Sequence, residues 1–245
     1  MKGWDHEVDL LVLGSGAAGL TAALTGADDG LSVLVLEKSE WLGGTTARSA
    51  GTLWVPGHRD LPDPEADTAD AARYLDALVG EQAAPQLRAA YLRHAPDALE
   101  HLRRLGLGFR HTARAVDYHP EISGSGVGRA LEPEPFDGRR LGRHAFGRIH
   151  RPMREFALFG GSLMLRRAEA DQLTSALSGH GVPAAVVTAL RLGVRWVFDL
   201  ALGYPRGTRL TMGNALVAAL YDRLLSRGTD LWFTARVREL VVDAR

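Results

Sequence analysis

Three glycines and one acid are the residues of this chain whose types and spacing could do chemistry together. Gly14, Gly16 and Gly19 form G-x-G-x-x-G within GSGAAG, with Ser15, Ala17 and Ala18 between them. Glu37 follows about twenty residues on, the usual distance for an acid that serves such a turn. The first glycine permits a tight turn, the second lets backbone approach a pyrophosphate, and the third lets a helix pack closely on a strand. A helix starting here offers unpaired N–H groups and a partial positive charge to phosphates. A carboxylate at Glu37 can accept hydrogen bonds from ribose hydroxyls. The chemistry is dinucleotide binding. In a chain with 28 glycines the bare motif is weak, and the surrounding elements must give it weight.

They do. Val8 to Leu13 is nearly all apolar and reads as a strand buried on both faces of a parallel sheet. Ala17 to Asp28 has the composition of a helix, and Ser32 to Leu36 is a second apolar run that stops at Glu37. Strand, glycine turn, helix, strand and acid is the order of the dinucleotide-binding fingerprint. The blander alternative is a glycine-rich turn between strand and helix, with Glu37 solvated.

Trp41 to Gly57 reads WLGGTTARSAGTLWVPG. Thr45, Thr46 and Ser49 can donate hydrogen bonds, while Gly43, Gly44, Ala50 and Gly51 add no bulk. Such a stretch suits backbone running along an extended cofactor. At this point the chain resembles a known flavoprotein family, that of fumarate reductases, succinate dehydrogenase flavoprotein subunits and 3-ketosteroid dehydrogenases. Their FAD segment pairs GSGxAG with a downstream E-K and G-G-T-T-x-x-S-x-G. This chain has GSGAAG, Glu37-Lys38 and GGTTARSAG. The resemblance implies FAD rather than NAD. It also implies an α/β fold: a Rossmann-like FAD-binding domain, with a central parallel sheet and flanking helices, carrying a largely helical insertion. The expected division is residues 1–57 for the βαβ unit and GGTT segment, 58–205 for the insertion, and 206–245 for the return to the sheet.

Composition excludes several other classes. The 245 residues carry 29 basic and 29 acidic side chains, which gives no support for a nucleic-acid partner. There is no cysteine, so disulfides, thiolate metal sites, a cysteinyl nucleophile and cysteinyl flavin attachment are ruled out. FAD is expected to be held non-covalently. Nearly all positive charge is arginine, since only Lys2 and Lys38 are lysine. No signal peptide is read at the N-terminus. The apolar stretch Ala184 to Gly203 is interrupted by Arg191, Arg195 and Asp199, so no transmembrane segment is expected and the cytoplasm is the expected location.

Beyond the GGTT run, Trp54 to Ala66 reads as a proline-punctuated loop. Helices are expected over Thr68 to Gly80, Ala84 to His94 and Pro96 to Leu105. His94, His101 and His111 lack metal-ligand spacing and read as ordinary histidines. Leu107 to Phe146 shows little periodicity and reads as a long functional loop, or as strands whose bounds the pattern does not give. Arg167 to Ser178 and Pro183 to Leu202 are helical by pattern. In the second, Val187, Leu190, Val194, Val197 and Ala201 read as a core-facing stripe. Gly213 to Ser226 is a strong helix stopped by Gly228. Leu231 to Thr234 and Val237 to Val242 read as strands.

DYHPE at Asp117 to Glu121, LEPEPFDGRRLG at Leu131 to Gly142 and EFALFGGSLMLR at Glu155 to Arg166 resemble the 3-ketosteroid dehydrogenase branch. That resemblance implies a small-molecule ketone or steroid-like substrate, with a proton leaving one carbon beside the ketone and a hydride leaving its neighbour for flavin N5. It places an active-site tyrosine at Tyr118, as base or as helper to the base, against the alternative of a packed loop tyrosine. It places Val237 where a backbone edge meets adenine. Arg48 stands where the steroid enzymes are expected to carry an aromatic residue, and either suits a carboxylated substrate or simply faces solvent. Family members run well past residue 245, so the resemblance covers only the first part of the family's fold; the chain is either a fragment or naturally short, and turnover is not expected from it alone. The electron acceptor is not legible. The competing readings are a fumarate reductase-like flavoprotein acting on a carboxylate, an NAD-binding Rossmann protein, and a non-catalytic FAD-binding fragment.

Overall fold

The structure, a computed structural model, describes residues 6–242. It divides into two compact units, Met1–Gly51 with Pro135–Arg245, and Thr52–Glu134.

The first unit is built on a parallel sheet in the order β1-β2-β10, from β1 (Leu10–Leu13), β2 (Val33–Leu36) and β10 (Asp230–Trp232). Leu10 pairs with Val33 and Asp230 with Leu34, so the first and last strands flank β2. Helix α1 (Ala17–Asp28) runs between β1 and β2 and packs on α7 (Met212–Ser226). Leu20, Ala23 and Leu24 of α1 meet Ala215, Val217, Ala218, Leu220 and Leu224 of α7 in a fully buried layer. This is an α/β, Rossmann-type βαβ arrangement with flanking helices. Burying each of the layer's leucines and its valine contributes about 1.5–3 kcal/mol.

Two glycines fix how α7 sits. A Cβ on Gly213 would lie 1.8 Å from the Thr46 carbonyl oxygen, and one on Gly51 would lie 2.6 Å from the Gly213 nitrogen. Only hydrogen at both positions allows the first turn of α7 to press against residues 46–51.

The rest of this unit comprises α4 (Gly142–Arg148), a hairpin of β7 (Ala157–Leu158) and β8 (Leu163–Met164), α5 (Arg167–Leu177), α6 (Val182–Ala201), and β6 (Phe136–Asp137) paired antiparallel with β9 (Arg209–Leu210). The second unit holds α2 (Pro64–Val79), α3 (Pro85–Arg104) and an antiparallel sheet in the order β3-β5-β4, from β3 (Leu53–Trp54), β5 (Ala130–Pro133) and β4 (Phe109–His111). Arg129, 1% exposed, is its polar centre. Its Nε donates to Asp67 at 2.9 Å and its Nη1 to Asp117 at 2.6 Å.

Several expectations are corrected here. Pro96 does not separate two helices but lies inside α3, where buried Leu92, Leu99 and Leu102 hold one apolar face across it. Of the two readings of residues 107–146, the strands are found: the stretch contributes β4, β5, β6 and the start of α4, all short. Among the described residues β1 is covered on one face only, because Val12 is buried while Leu11 and Leu13 are exposed. Val237 to Val242 form no strand. The apolar stripe of α6 does not face a core: Val187, Leu190, Val194 and Val197 are all exposed, Val194 by 69%. The face of α6 that packs carries Ala185, Leu192 and Trp196, against Leu163, Leu165 and Leu173. Periodicity detected an apolar face correctly but could not say which face has a neighbour. Among the described residues, no helix is long and apolar enough to cross a membrane.

Candidate cofactor-binding site

The site grows from the C-terminal end of β1. Gly14 takes φ +99°, a conformation glycine alone adopts without strain, and its N–H donates to Leu36 O at 2.8 Å. The turn is thereby tied to the end of β2. Gly16 is the N-cap of α1 and has no side chain to cap it. At Gly19 a Cβ would lie 2.0 Å from the Gly14 carbonyl oxygen, so the third glycine is required by the fold itself. Gly16 is different. A Cβ there would meet only Thr46 Oγ1, at the ordinary contact distance of 3.8 Å. The protein has room at Gly16, and a need for glycine there must come from a ligand.

Glu37 closes the turn from the other side. Ser15 donates to its Oε2 through the backbone at 3.0 Å and through Oγ at 2.6 Å, and Ser39 N donates to Oε1 at 2.9 Å. Burial pushes this carboxyl up, but hydrogen bonds from the Ser15 hydroxyl and from the Ser39 and Ser15 backbone outweigh it and hold the group below its ordinary range. Oε2 already accepts two hydrogen bonds. Oε1 accepts one, which leaves it a lone pair for a ribose hydroxyl. Ser39 completes this acid's environment and is a site residue that motif spacing did not reveal.

The GGTT segment packs against the same turn. Ser15 Oγ accepts from Gly43 N at 3.1 Å, and Thr46 Oγ1 accepts from Ala17 N at 3.0 Å. A Cβ on Gly44 would meet nothing but the Gly16 Cα, at 4.0 Å. Residues 14–19, 37 and 43–51 thus form one surface. Its members fall into two groups. Ser15, Glu37, Gly43 and Gly51 are buried and build the frame. Ala18, Lys38, Gly44, Thr45, Ser49 and Ala50 are exposed along its lip, with Gly16, Ala17 and Thr46 half-buried between. Ser49 also braces the segment, since its Oγ donates to Thr46 O at 2.9 Å and accepts from Gly51 N at 3.0 Å. Past β10, Ala235 N donates to Glu37 O at 2.9 Å, which brings the strand-free stretch carrying Val237 alongside the acid.

Behind the segment lies a polar group that sequence reasoning missed. Asn214, fully buried, donates through Nδ2 to the carbonyls of Ala47 and His150, and its Oδ1 accepts from Arg206 Nη2 at 2.9 Å. The buried Arg206 guanidinium packs over the Phe146 ring, and its Nη1 has no hydrogen-bond partner. Burial, and then the nearby Arg151, push its pKa down to about 10. The sequence signal was M-G-N at the start of an apolar helix, an amide where a buried face begins.

Tyr118 lies in the second unit, on the stretch between β4 and β5, and is 95% exposed. The residue that anchors this stretch is its neighbour. Asp117 accepts from Trp54 Nε1 at 2.7 Å, from Gly126 N at 2.9 Å and from Arg129. A packed loop tyrosine is therefore not what Tyr118 is. Arg48, at the end of a short helical turn (Thr46–Arg48), is exposed.

A surface of glycine backbone, small hydroxyls, an uncapped helix start and an acid with one lone pair left fits an adenine dinucleotide. Comparison with known proteins agrees. The chain is 34% identical over 243 residues to a 3-oxosteroid 1-dehydrogenase of Mycolicibacterium smegmatis, covering 97% of this chain and 41% of that protein. It is 34% identical over 236 residues to a 4-oxocyclohex-2-ene-1-carboxylate 5-dehydrogenase of Sinomonas cyclohexanicum, covering 95% of this chain and 39% of that one. Among solved structures, the 3-ketosteroid delta1-dehydrogenase of Sterolibacterium denitrificans superposes with a TM-score of 0.80 at 31% identity, over 93% of this chain and 40% of its own. This chain therefore spans about two fifths of the length of these relatives. A family model described as an FAD binding domain matches residues 9–245, so the chain belongs to the FAD-binding domain family and its cofactor is FAD.

Proposed function

We propose that this chain is the cofactor-binding part of an FAD-dependent dehydrogenase that removes two hydrogens from adjacent carbons beside a ketone. The 3-ketosteroids are the proposed substrate class. The observation that carries the reading is the Ser15–Glu37–Thr46 framework, which ties the glycine turn to the GGTT segment, in a chain similar over 97% of its length to a 3-oxosteroid 1-dehydrogenase. When bound, FAD supplies the hydride acceptor. Gly14, Gly16 and Gly19 and the start of α1 hold its pyrophosphate, Glu37 its ribose, the backbone near Val237 its adenine, and Gly43–Gly51 the remainder. FAD is held without a covalent bond. Residues 1–57, 58–205 and 206–245 are segments of one cofactor domain in this reading, and the cytoplasm is the proposed location.

Tyr118 serves the proton step. It takes the proton itself or orients the residue that does, and general acid–base help of this kind is worth ~10²–10⁴-fold in rate.

Gly16→Val tests the cofactor assignment. The expected result is a folded chain that no longer retains flavin, read by absorbance after desalting. A Gly16→Val protein with a full complement of FAD would remove the glycine turn from the site.

A second substrate reading rests on Arg48. An exposed guanidinium on the GGTT segment suits the carboxylate of 4-oxocyclohex-2-ene-1-carboxylate, the compound named for the Sinomonas relative. Anaerobic reduction of the flavin by a steroid ketone and by 4-oxocyclohex-2-ene-1-carboxylate, in the protein that carries this chain, separates the two. Loss of the second activity alone in Arg48→Leu would favour the carboxylate.

A further inference from the structure

The first unit holds a second concave surface, built from none of the residues of the glycine turn or of Gly43–Gly51. It is a cleft of about 480 Å³ between β6, the start of α5, one face of α6 and β9. Four guanidiniums line it, from Arg166, Arg191, Arg195 and Arg209, against two carboxylates, Asp137 and Glu169. Two positive charges are left over.

The carboxylates are already committed. Arg209 grips Glu169 with both nitrogens, at 2.7 and 3.1 Å, and Arg166 Nε reaches the same carboxylate at 3.1 Å. Asp137 takes Arg195 Nη2 at 2.8 Å and the Arg139 N–H at 3.2 Å. Arg191 forms no ion pair among the described residues and is exposed. Arg195 Nε is buried with no hydrogen-bond partner. Thr188 donates to Gln172 Oε1 at 3.0 Å, which fixes the amide and leaves its NH₂ as a donor. The excess charge is felt within the cluster. Burial pushes Arg209 below its ordinary range, Glu169 pulls it back, and Arg166 and Arg195 push it down again. Partly desolvated cations that repel one another are stabilised by an anion.

We propose that this cleft binds a small phosphate dianion, either free phosphate or the phosphate of a small monoester. A phosphate carries about −1.5 to −2 charges at neutral pH, which matches the excess. Planar guanidinium forks arriving from α6 and β9 suit its tetrahedral oxygens better than a single ammonium would. Arg191 and Arg195 supply the new contacts, Gln172 adds a neutral donor, and Glu169 and Asp137 hold Arg166, Arg209 and Arg195 in place.

The experiment is calorimetric titration of the 245-residue chain with inorganic phosphate and, separately, glycerol 3-phosphate. Saturating FAD keeps the start of α1 occupied, and chloride is adjusted to constant ionic strength. Saturable binding at one site is expected, and the tighter of the two ligands identifies the source. Arg191→Gln removes an exposed side chain, so its melting temperature should be unchanged while affinity falls about tenfold or more, the worth of a charge-assisted hydrogen bond. Arg191→Lys should fall between, because it keeps the charge and loses the fork. An unsaturable isotherm for both ligands, or equal affinity in wild type and Arg191→Gln, would overturn the assignment.

Discussion

The glycine turn with its GGTT partner, and the loop around Tyr118, both carried motifs, but they are built in opposite ways. In the first, the motif residues bond or pack against one another: Ser15 with Glu37 and Gly43, Thr46 with Ala17, Gly19 against Gly14. In the second, the residue singled out for chemistry projects into solvent, while its neighbour Asp117 and Arg129 hold the loop. A motif that enforces backbone geometry is spelled by several residues at once. A single reactive side chain leaves its structural support to others, and that support is what its neighbours in sequence conceal.

This difference can be broken most severely at Gly19. Any Cβ there collides with the Gly14 backbone, which cannot move aside without opening the β1–β2 end. Gly19→Val should cost more than about 4 kcal/mol, the range reached only when backbone or core is disrupted. It should abolish both flavin binding and cooperative melting of the first unit. Gly16→Val, three residues away, should lose flavin while keeping its melting transition. If circular dichroism shows both variants equally unfolded, the distinction between a glycine needed by the fold and one needed by the ligand fails.

The corresponding blow to the second unit falls on Arg129. Replacing it with Met leaves Asp67 and the buried Asp117 without their cation. Breaking a buried ion pair from one side costs about 3–5 kcal/mol. Trp54, bonded to Asp117, reports the change, so urea unfolding followed by tryptophan fluorescence should show an earlier transition for Arg129→Met. An unchanged midpoint would mean that the loop is held by its apolar contacts instead.

These contrasts explain what was legible. The βαβ unit was readable because its glycines, its two apolar runs and its acid fall in one fixed order, with Gly14 at a positive φ and Gly19 pressed against the Gly14 backbone. The helices α2, α5, α6 and α7 were readable because each spans enough residues to show a period. Pro96 misled because its missing hydrogen bond is a local cost, while the leucines that carry α3 past it act through tertiary contacts. The stripe on α6 misled because apolar periodicity says that a face could be buried, not that it is. Arg206 and Asn214 were missed because a buried polar group is recognised by its partners. Asn214 bonds a carbonyl 167 positions away in sequence, at Ala47.

A smaller effect tests the frame through pH. The Glu37 carboxyl is held below its ordinary value of 4.5 in the folded chain. The unfolded state therefore binds a proton first as pH falls, and Glu37 contributes stability that is present above pH 4.5 and lost as pH drops through the folded value. Glu37→Gln should flatten the acid limb of the stability curve. It should also weaken FAD binding by about 1–3 kcal/mol, the scale of hydrogen bonds to a charged group. An acid limb identical to wild type would mean that the serine contacts do not select the ionised carboxylate.

The smallest effect on the fold belongs to Tyr118, and that smallness is what makes it informative. A side chain 95% exposed contributes little packing, so both Tyr118→Phe and Tyr118→Ala should melt within about 0.5 kcal/mol of wild type. In the protein that carries this chain, Tyr118→Phe removes one oxygen and nothing else, and turnover should fall at least ~10²-fold with flavin content unchanged. Tyr118→Ala should then fall no less, since the ring without its hydroxyl serves only to position it. Normal turnover in Tyr118→Phe with normal stability in both variants would strike the residue from the proton step. A large drop in turnover without loss of melting temperature would show that the exposed side chain in the loop matters to catalysis, while Asp117 and Arg129 keep the loop in place.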